Sequence, residues 1–421
     1  MDRESLKGKK LLILAGAAVH CKVVRAAKEL GVYTIVTDYI EDSPAKKLAD
    51  ESWMLNIVDV DGIVERCKQE GVDGVLAFCI DPAQIPYQQI CERLGFYCFG
   101  NAEQYRSLTD KHAFIEMCKK CGVDVIPQYT CEDVENDRAE YPVFIKPVDS
   151  RGSRGQSVCY SKEETKKAIE KASKESSNSS VVIEKYMGDY NDFSVTYTIK
   201  NGEAFLTRTG DRYLGKKEDN LDKQAVAGIS PSKYTDMYLR NVDPNVRNMI
   251  KSLGIKNGAV FMQGFVDGET VRFYDPGLRY PGTDYECLLR DVTGLDVMKM
   301  MISFALTGDC GDFGNLNDAY KLGSNISVQL YIAARAGKIA VYEGLEEISK
   351  NPNIVTVSAR SAVGEVILPS GDVRQRVAEV VILAPDKKQA KELVGYVYNT
   401  FKVLDENREN MIVSKFNTDN L

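Results

Sequence analysis

A run of apolar residues delivers one lysine to its end in Tyr141-Pro142-Val143-Phe144-Ile145-Lys146-Pro147. Glycine-rich backbone follows at once in Asp149-Ser150-Arg151-Gly152-Ser153-Arg154-Gly155-Gln156. A buried strand that carries one ammonium to its edge and then opens into flexible backbone suits a polyphosphate, because the cation neutralises oxygens while free N–H groups close over them. A fold for this chain must therefore turn that strand end and loop toward a cleft.

The chain has 421 residues, too many for one compact core, and predicts two to four lobes. A hydrophobic content of 44% with 27% charged residues excludes wholesale disorder. The apolar run at residues 11–19 is shorter than the roughly 20 residues a bilayer span needs. Met1-Asp2-Arg3-Glu4 leads into a strand pattern without a basic leader, so a cytoplasmic location with no membrane partner is expected. The net charge of -7, with no long basic run, speaks against nucleic acid. Eleven cysteines, an odd number scattered through apolar segments, read as reduced core thiols. Cys118-Lys119-Lys120-Cys121 has the spacing of a metal or redox pair, but no second pair or histidine set completes it, and a structural helix end is favoured. With only His20 and His112 available, proton transfer falls mainly to carboxylates, substrate or water.

Along the chain, strands at residues 10–14, 33–37 and 74–79 alternate with helices at 21–30, 62–70 and 83–94, which predicts a doubly wound parallel sheet. Asp38 ends the second strand as in dinucleotide folds, yet Ala15-Gly16-Ala17-Ala18 lacks the glycine spacing that admits a pyrophosphate, so a nicotinamide cofactor is disfavoured. Thr109 or Asp110 caps a helix stopped by Gly122, placing Lys111 in its first turn. A cation there opposes the helix dipole, so Lys111 taken alone reads as a solvated surface lysine or as one held by an anionic ligand. Hairpins are expected around Asn201-Gly202 and Asp267-Gly268. Residues 210–224, with Arg212, Lys216, Lys217 and Lys223, read as a mobile solvated loop. Short strands at 329–333, 339–342 and 377–383, and a helix at 388–400 capped by Asp386, close the chain.

In this order the pieces resemble the ATP-grasp superfamily over most of the chain. The resemblance is carried by Asp110-Lys111, Val143-Phe144-Ile145-Lys146-Pro147, the Gly152 to Gly155 loop, Val182-Ile183-Glu184-Lys185-Tyr186-Met187-Gly188 and Arg272-Phe273-Tyr274-Asp275-Pro276-Gly277-Leu278-Arg279. The N-terminal part resembles the pre-ATP-grasp domain of the carbamoyl phosphate synthetase and carboxyaminoimidazole ribonucleotide synthetase branch. The resemblance implies a mixed α/β and α+β architecture. Its parts are a pre-ATP-grasp doubly wound parallel sheet over 1–105, a small ATP-grasp lobe over 106–185, a large lobe with a metal hairpin over 186–320, and a strand-rich mixed C-terminal lobe over 321–421.

The same resemblance implies ATP with Mg²⁺ (or Mn²⁺). Lys111 and Lys146 would neutralise phosphate oxygens, and the loop with Gly152, Ser153 and Gly155 would fold over them. Glu184 and the backbone of Lys185, Tyr186 and Met187 would contact adenine. Asp192, where the family has a glutamate, would accept ribose hydroxyls. Gln263 and Asp275 would hold the metal across a hairpin, and Arg279 would act catalytically by steadying the anion at the acyl centre. Gly277 stands where the family has an asparagine, so a second ion either relies on water, Asp284 or Glu286 or is absent.

The expected activity is ligation of a small-molecule carboxylate, activated as an acyl phosphate, to an amine, with amino-acid ligation as one form. The alternatives are a bicarbonate-using enzyme that forms carboxyphosphate and an ATP-binding protein without ligase turnover. A homodimer is compatible with each. The acid and amine stay unnamed, because acceptor pockets come from loops such as 210–224 and 281–286 that no general motif constrains.

Overall fold

A computed structural model describes residues 6–147, 156–175, 180–188, 190–222, 224–312 and 314–421. The glycine loop with Gly152, Ser153 and Gly155 lies outside them. The first sheet is parallel and orders its strands as Glu51–Trp53, Tyr33–Thr37, Lys10–Leu14 and Gly74–Ala77. Leu11 through Leu14 are all inaccessible to solvent. Continuous burial without alternation is what a strand covered on both faces requires, and helices Cys21–Glu29, Val60–Glu70 and Gln84–Leu94 belong to the same core. The predicted parallel architecture is therefore found, with Glu51–Trp53 as an added edge strand.

The second sheet has the order Gln128–Tyr129, Val181–Lys185, Val143–Pro147, Ser157–Cys159 and is antiparallel. Its alternation settles where Lys146 goes. Val143 and Ile145 are fully buried in a small core with Ala168 and Ala172 of helix Lys162–Glu175, so Phe144 and Lys146 fall on the opposite face.

The third sheet is antiparallel and runs Thr270–Gly277, Gly258–Asp267, Asn191–Lys200, Glu203–Leu214, Ala225–Ser230, Ile326–Ala334, Arg376–Ala384, Ile354–Ala359, with Ile412–Val413 beside Ile326–Ala334. Both faces are covered, but they differ in kind. Phe193, Val195, Tyr197 and Ile199 enter the main hydrophobic core, whereas Asp192, Ser194, Thr196 and Thr198 form a buried polar row on the other face. That polar face carries the site. Residues 210–224 depart from expectation: the strand persists through Leu214, so Arg212 is a half-buried strand residue. The last strand passes to helix Lys387–Thr400, whose first turn is capped by Asp386 Oδ1 accepting from Gln389 N at 2.8 Å, as predicted. No described helix is long and apolar enough to cross a membrane.

Candidate active site

Asp110 caps helix Lys111–Lys120 by accepting from Ala113 N at 2.8 Å, which fixes Lys111 in the first turn. Lys111, Lys146, Val182, Glu184, Phe273 and Tyr274 share a cavity of about 280 Å³ between the small lobe and the hairpin strand Thr270–Gly277. The two predicted phosphate lysines and the predicted adenine glutamate are thus brought together. Strand pairing sets Phe144 opposite Glu184 and Lys146 opposite Val182, and Lys146 Nζ contacts Glu184 Oε1 at 2.5 Å. The hinge backbone is held by Lys185 N donating to Pro127 O and Tyr186 N donating to Pro142 O, each at 2.9 Å. Met187 is buried there, and the Tyr186 ring lies 6.5 Å from that of Phe144.

Across the large sheet, Gln263 and Asp275 are register partners, as the hairpin reading requires. The Gln263 amide is oriented with its nitrogen donating to Asp275 Oδ2 at 3.1 Å and its oxygen accepting from Arg212 Nη1 at 2.7 Å. Arg212 also pairs with Asp192 Oδ2 at 2.8 Å and donates to the Tyr274 hydroxyl at 3.3 Å. Asp192 Oδ1 is buried without a hydrogen-bond partner. Burial raises the Asp275 carboxyl, with Asp81 adding, against the pull of Arg279, Lys111 and Arg212. Among the described residues Asp275 forms no ion pair, and no cluster of three or more His, Cys, Asp or Glu side chains forms a metal site by itself. As the amide stands its oxygen faces Arg212 and its nitrogen faces Asp275, so Asp275 offers the carboxylate that a Mg²⁺ would need, and Gln263 would add its oxygen only with the amide turned. Asp284 and Glu286, offered by sequence as further ligands, are committed elsewhere: Lys22 pairs with both, and Arg360 takes Asp284 at 2.9 Å.

Arg279 follows strand Thr270–Gly277 and grips Asp81 of the N-terminal lobe with two hydrogen bonds, 2.6 and 3.1 Å. A Cβ at Gly277 would lie 3.1 Å from Arg279 Cγ and 3.2 Å from Nε, so the missing side chain makes room for the arginine. Beyond Arg279 opens a cleft of about 900 Å³ between the N-terminal lobe and the polar sheet face. Arg208, Arg212 and Arg376 line it, and none was singled out for the site from sequence. The signal for two of them was present: Arg208, Gly210 and Arg212 alternate at a strand's period of two.

Burial, opposed by Arg212, raises the Asp192 pKa to about 6. A carboxyl raised in the folded state favours folding below its unfolded value of 3.8, and that advantage is lost as pH rises through about 6. The linkage amounts to about 3 kcal/mol. Urea unfolding of wild type and Asp192→Asn is therefore expected to show a stability difference that moves against wild type by about this amount between pH 4 and pH 6.5. A difference constant across that window would mean that Asp192 titrates in the ordinary carboxylate range.

The family model described as carbamoyl-phosphate synthase L chain, ATP binding domain, matches residues 110–261, which contain both lysines, Glu184 and Asp192. Biotin carboxylase 1 of Bacillus subtilis is 25% identical over 325 residues, covering 70% of each chain. A formate-dependent phosphoribosylglycinamide formyltransferase of Prochlorococcus marinus is 27% identical over 276 residues, 63% of this chain and 69% of that one. The biotin carboxylase domain dimer of the Hydrogenobacter thermophilus 2-oxoglutarate carboxylase, solved with MgADP, ADP and bicarbonate, superposes with a TM-score of 0.77 at 21% identity, covering 94% of this chain and 90% of that one. Residues 110–261 thus match an ATP-binding domain model, and in its parallel N-terminal sheet, its paired lysines facing Glu184 and its Gln263–Asp275 hairpin the chain is similar to ATP-grasp proteins.

Proposed function

We propose that the chain joins a small-molecule carboxylic acid to an amine at the expense of ATP. The observation that carries this reading is the cleft of about 900 Å³ beside Arg279 and Gln263, a volume suited to an organic substrate rather than to bicarbonate alone. A carboxylate is a poor electrophile, since it is anionic and would have to expel oxide. In the first step its oxygen attacks the γ-phosphorus of ATP, the bond to the bridging oxygen breaks, and ADP leaves. The amine nitrogen then attacks the acyl carbon, the bond to phosphate breaks, and the nitrogen loses its proton to phosphate or water.

Each named residue has one task in that sequence. Lys111 and Lys146 neutralise phosphate oxygens as point charges. Glu184 and the hinge at Lys185, Tyr186 and Met187 hold adenine, and Asp192 Oδ1 takes a ribose hydroxyl. Asp275, with Gln263 once its amide turns, would hold one Mg²⁺, which would supply neutralising charge to the phosphates. Arg279, released from Asp81, steadies the tetrahedral oxyanion. Release of ADP and phosphate is expected only when an acid and an amine are both present. The likeness to biotin carboxylase motivates a second reading, in which bicarbonate is the acid and carboxyphosphate the product of the first step. ATP cleavage that bicarbonate stimulates with no other acid present would select that reading, and ATP binding without turnover across acids, amines and bicarbonate would remove both.

A further inference from the structure

Six arginines line the large cleft, and four of them already have carboxylate partners. Arg212 pairs with Asp192, Arg279 with Asp81, Arg360 with Asp284 and Glu379, and Arg374 with Asp372. Arg208 and Arg376 pair with no carboxylate among the described residues. Arg208 is only 2% exposed, and its guanidinium donates to the neutral Gln329 Oε1 at 3.1 Å and Ser230 Oγ at 3.4 Å. Arg376 stacks on the Tyr331 ring at 4.0 Å, and its Nε is buried without an acceptor. The acid acting on Arg376 is Glu379, which Arg360 already holds at 2.7 Å.

The two guanidinium groups belong to one constellation. Tyr331 donates to the same Gln329 Oε1 that Arg208 contacts, and its ring is the surface on which Arg376 lies. The backbone makes room for it: a Cβ at Gly210 would stand 3.3 Å from Arg208 Nη2, and one at Gly228 3.5 Å from the same atom. Arg208 is withdrawn from water and Arg376 is half-buried, and such charges without counter-charge are costly unless an anion joins them. Their strand position also separates them from the reacting centre. Arg208 lies four residues from Arg212 on the same strand face, about 13 Å along the strand from the residue that contacts Gln263.

We infer that Arg208 and Arg376, with Tyr331 between them, form an anion subsite for a carboxylate that does not react. The substrate pair then carries one carboxylate more than the chemistry consumes: either the activated acid is a dicarboxylate or the amine is an amino acid. This inference rests on the ligase reading, and it sets the substrate class of the same cleft. Planar forks on an aromatic surface suit bidentate recognition of a carboxylate, whereas a neutral or monofunctional substrate would leave both charges unanswered.

The test measures ADP release with Mg²⁺ and ATP for matched probes: succinate and glutarate against butyrate with ammonium as the amine, then glycine and β-alanine against ethanolamine with butyrate as the acid. A preference of at least tenfold in kcat/KM for the probes with the extra carboxylate is expected in one arm, and that arm identifies the source. Arg376→Gln is expected to raise KM for the preferred probe about tenfold with a smaller change in kcat, and Arg376→Lys to recover part of the loss. Arg208→Lys gives a second route that keeps the buried charge. Equal use of matched probes, or a preference untouched by Arg376→Gln, overturns the subsite while leaving the ligase reading standing. Stimulation by bicarbonate alone removes the ligase reading. Calorimetry of glutarate and glycine on the complex with Mg²⁺ and a non-hydrolysable ATP analogue then decides the subsite separately: binding lost in Arg376→Gln supports it, and no binding to wild type overturns it.

Discussion

Lys146→Ala is expected to lower kcat/KM for ATP by about 10²- to 10³-fold while the protein stays folded. The side chain sits on the face of its strand opposite the small-lobe core, so Val143 and Ile145 keep their packing against helix Lys162–Glu175 when it is removed. Its visible partner is Glu184 at 2.5 Å, and both side chains are partly exposed, at 20% and 11%. An ion pair of that kind contributes about 1 kcal/mol or less to stability. Phosphate oxygens arriving in the cavity shared by Lys111 and Lys146 meet an ammonium already aimed at them, and its loss leaves triphosphate charge unneutralised in a partly desolvated site. Calorimetric ATP affinity and phosphate release would be read beside the melting temperature. Lys146→Arg separates charge from shape: if a point charge is what the site needs, the larger planar fork restores binding only in part. An Ala variant with wild-type ATP affinity would remove Lys146 from the nucleotide site.

The placement of Lys111, Lys146 and Glu184 in one cavity was legible in sequence because its signals are local. Asp110 caps the next turn through its own side chain, Asn201-Gly202 closes its hairpin, and Lys146 and Glu184 lie on strands whose alternation fixes their facing. The acceptor half was far less legible. Arg279 is held by Asp81, 198 residues earlier, and Lys22 meets Asp284 across 262 residues, pairings that no local pattern encodes. Arg212 was misplaced for a different reason. A sequence window reads charge as exposure, but a strand covered on both faces can bury a polar row, and Arg212 is neutralised there by Asp192. Tertiary burial overrides the solvated-loop reading.

Asp275→Asn is expected to abolish turnover without harming the fold, and the two effects together identify its task. Burial raises the Asp275 carboxyl, and among the described residues no ion pair compensates its charge. An isosteric amide can still meet the Gln263 side chain while removing the buried charge, so the variant is expected to melt no lower than wild type. A purely structural aspartate would give the opposite result, a loss of stability. If Asp275 holds Mg²⁺ against the phosphates, turnover falls by about 10²- to 10³-fold, since a bound divalent ion contributes several kcal/mol to stabilising the charge that develops. The Mg²⁺ concentration for half-maximal phosphate release rises as well, because Gln263 alone offers a neutral oxygen that Arg212 also claims. ATP affinity measured without divalent ion changes little, as Lys111, Lys146 and the hinge are untouched. Full turnover in this variant would show that the charge between the phosphates is supplied elsewhere, and Asp275 would then count as a strained but dispensable member of the hairpin.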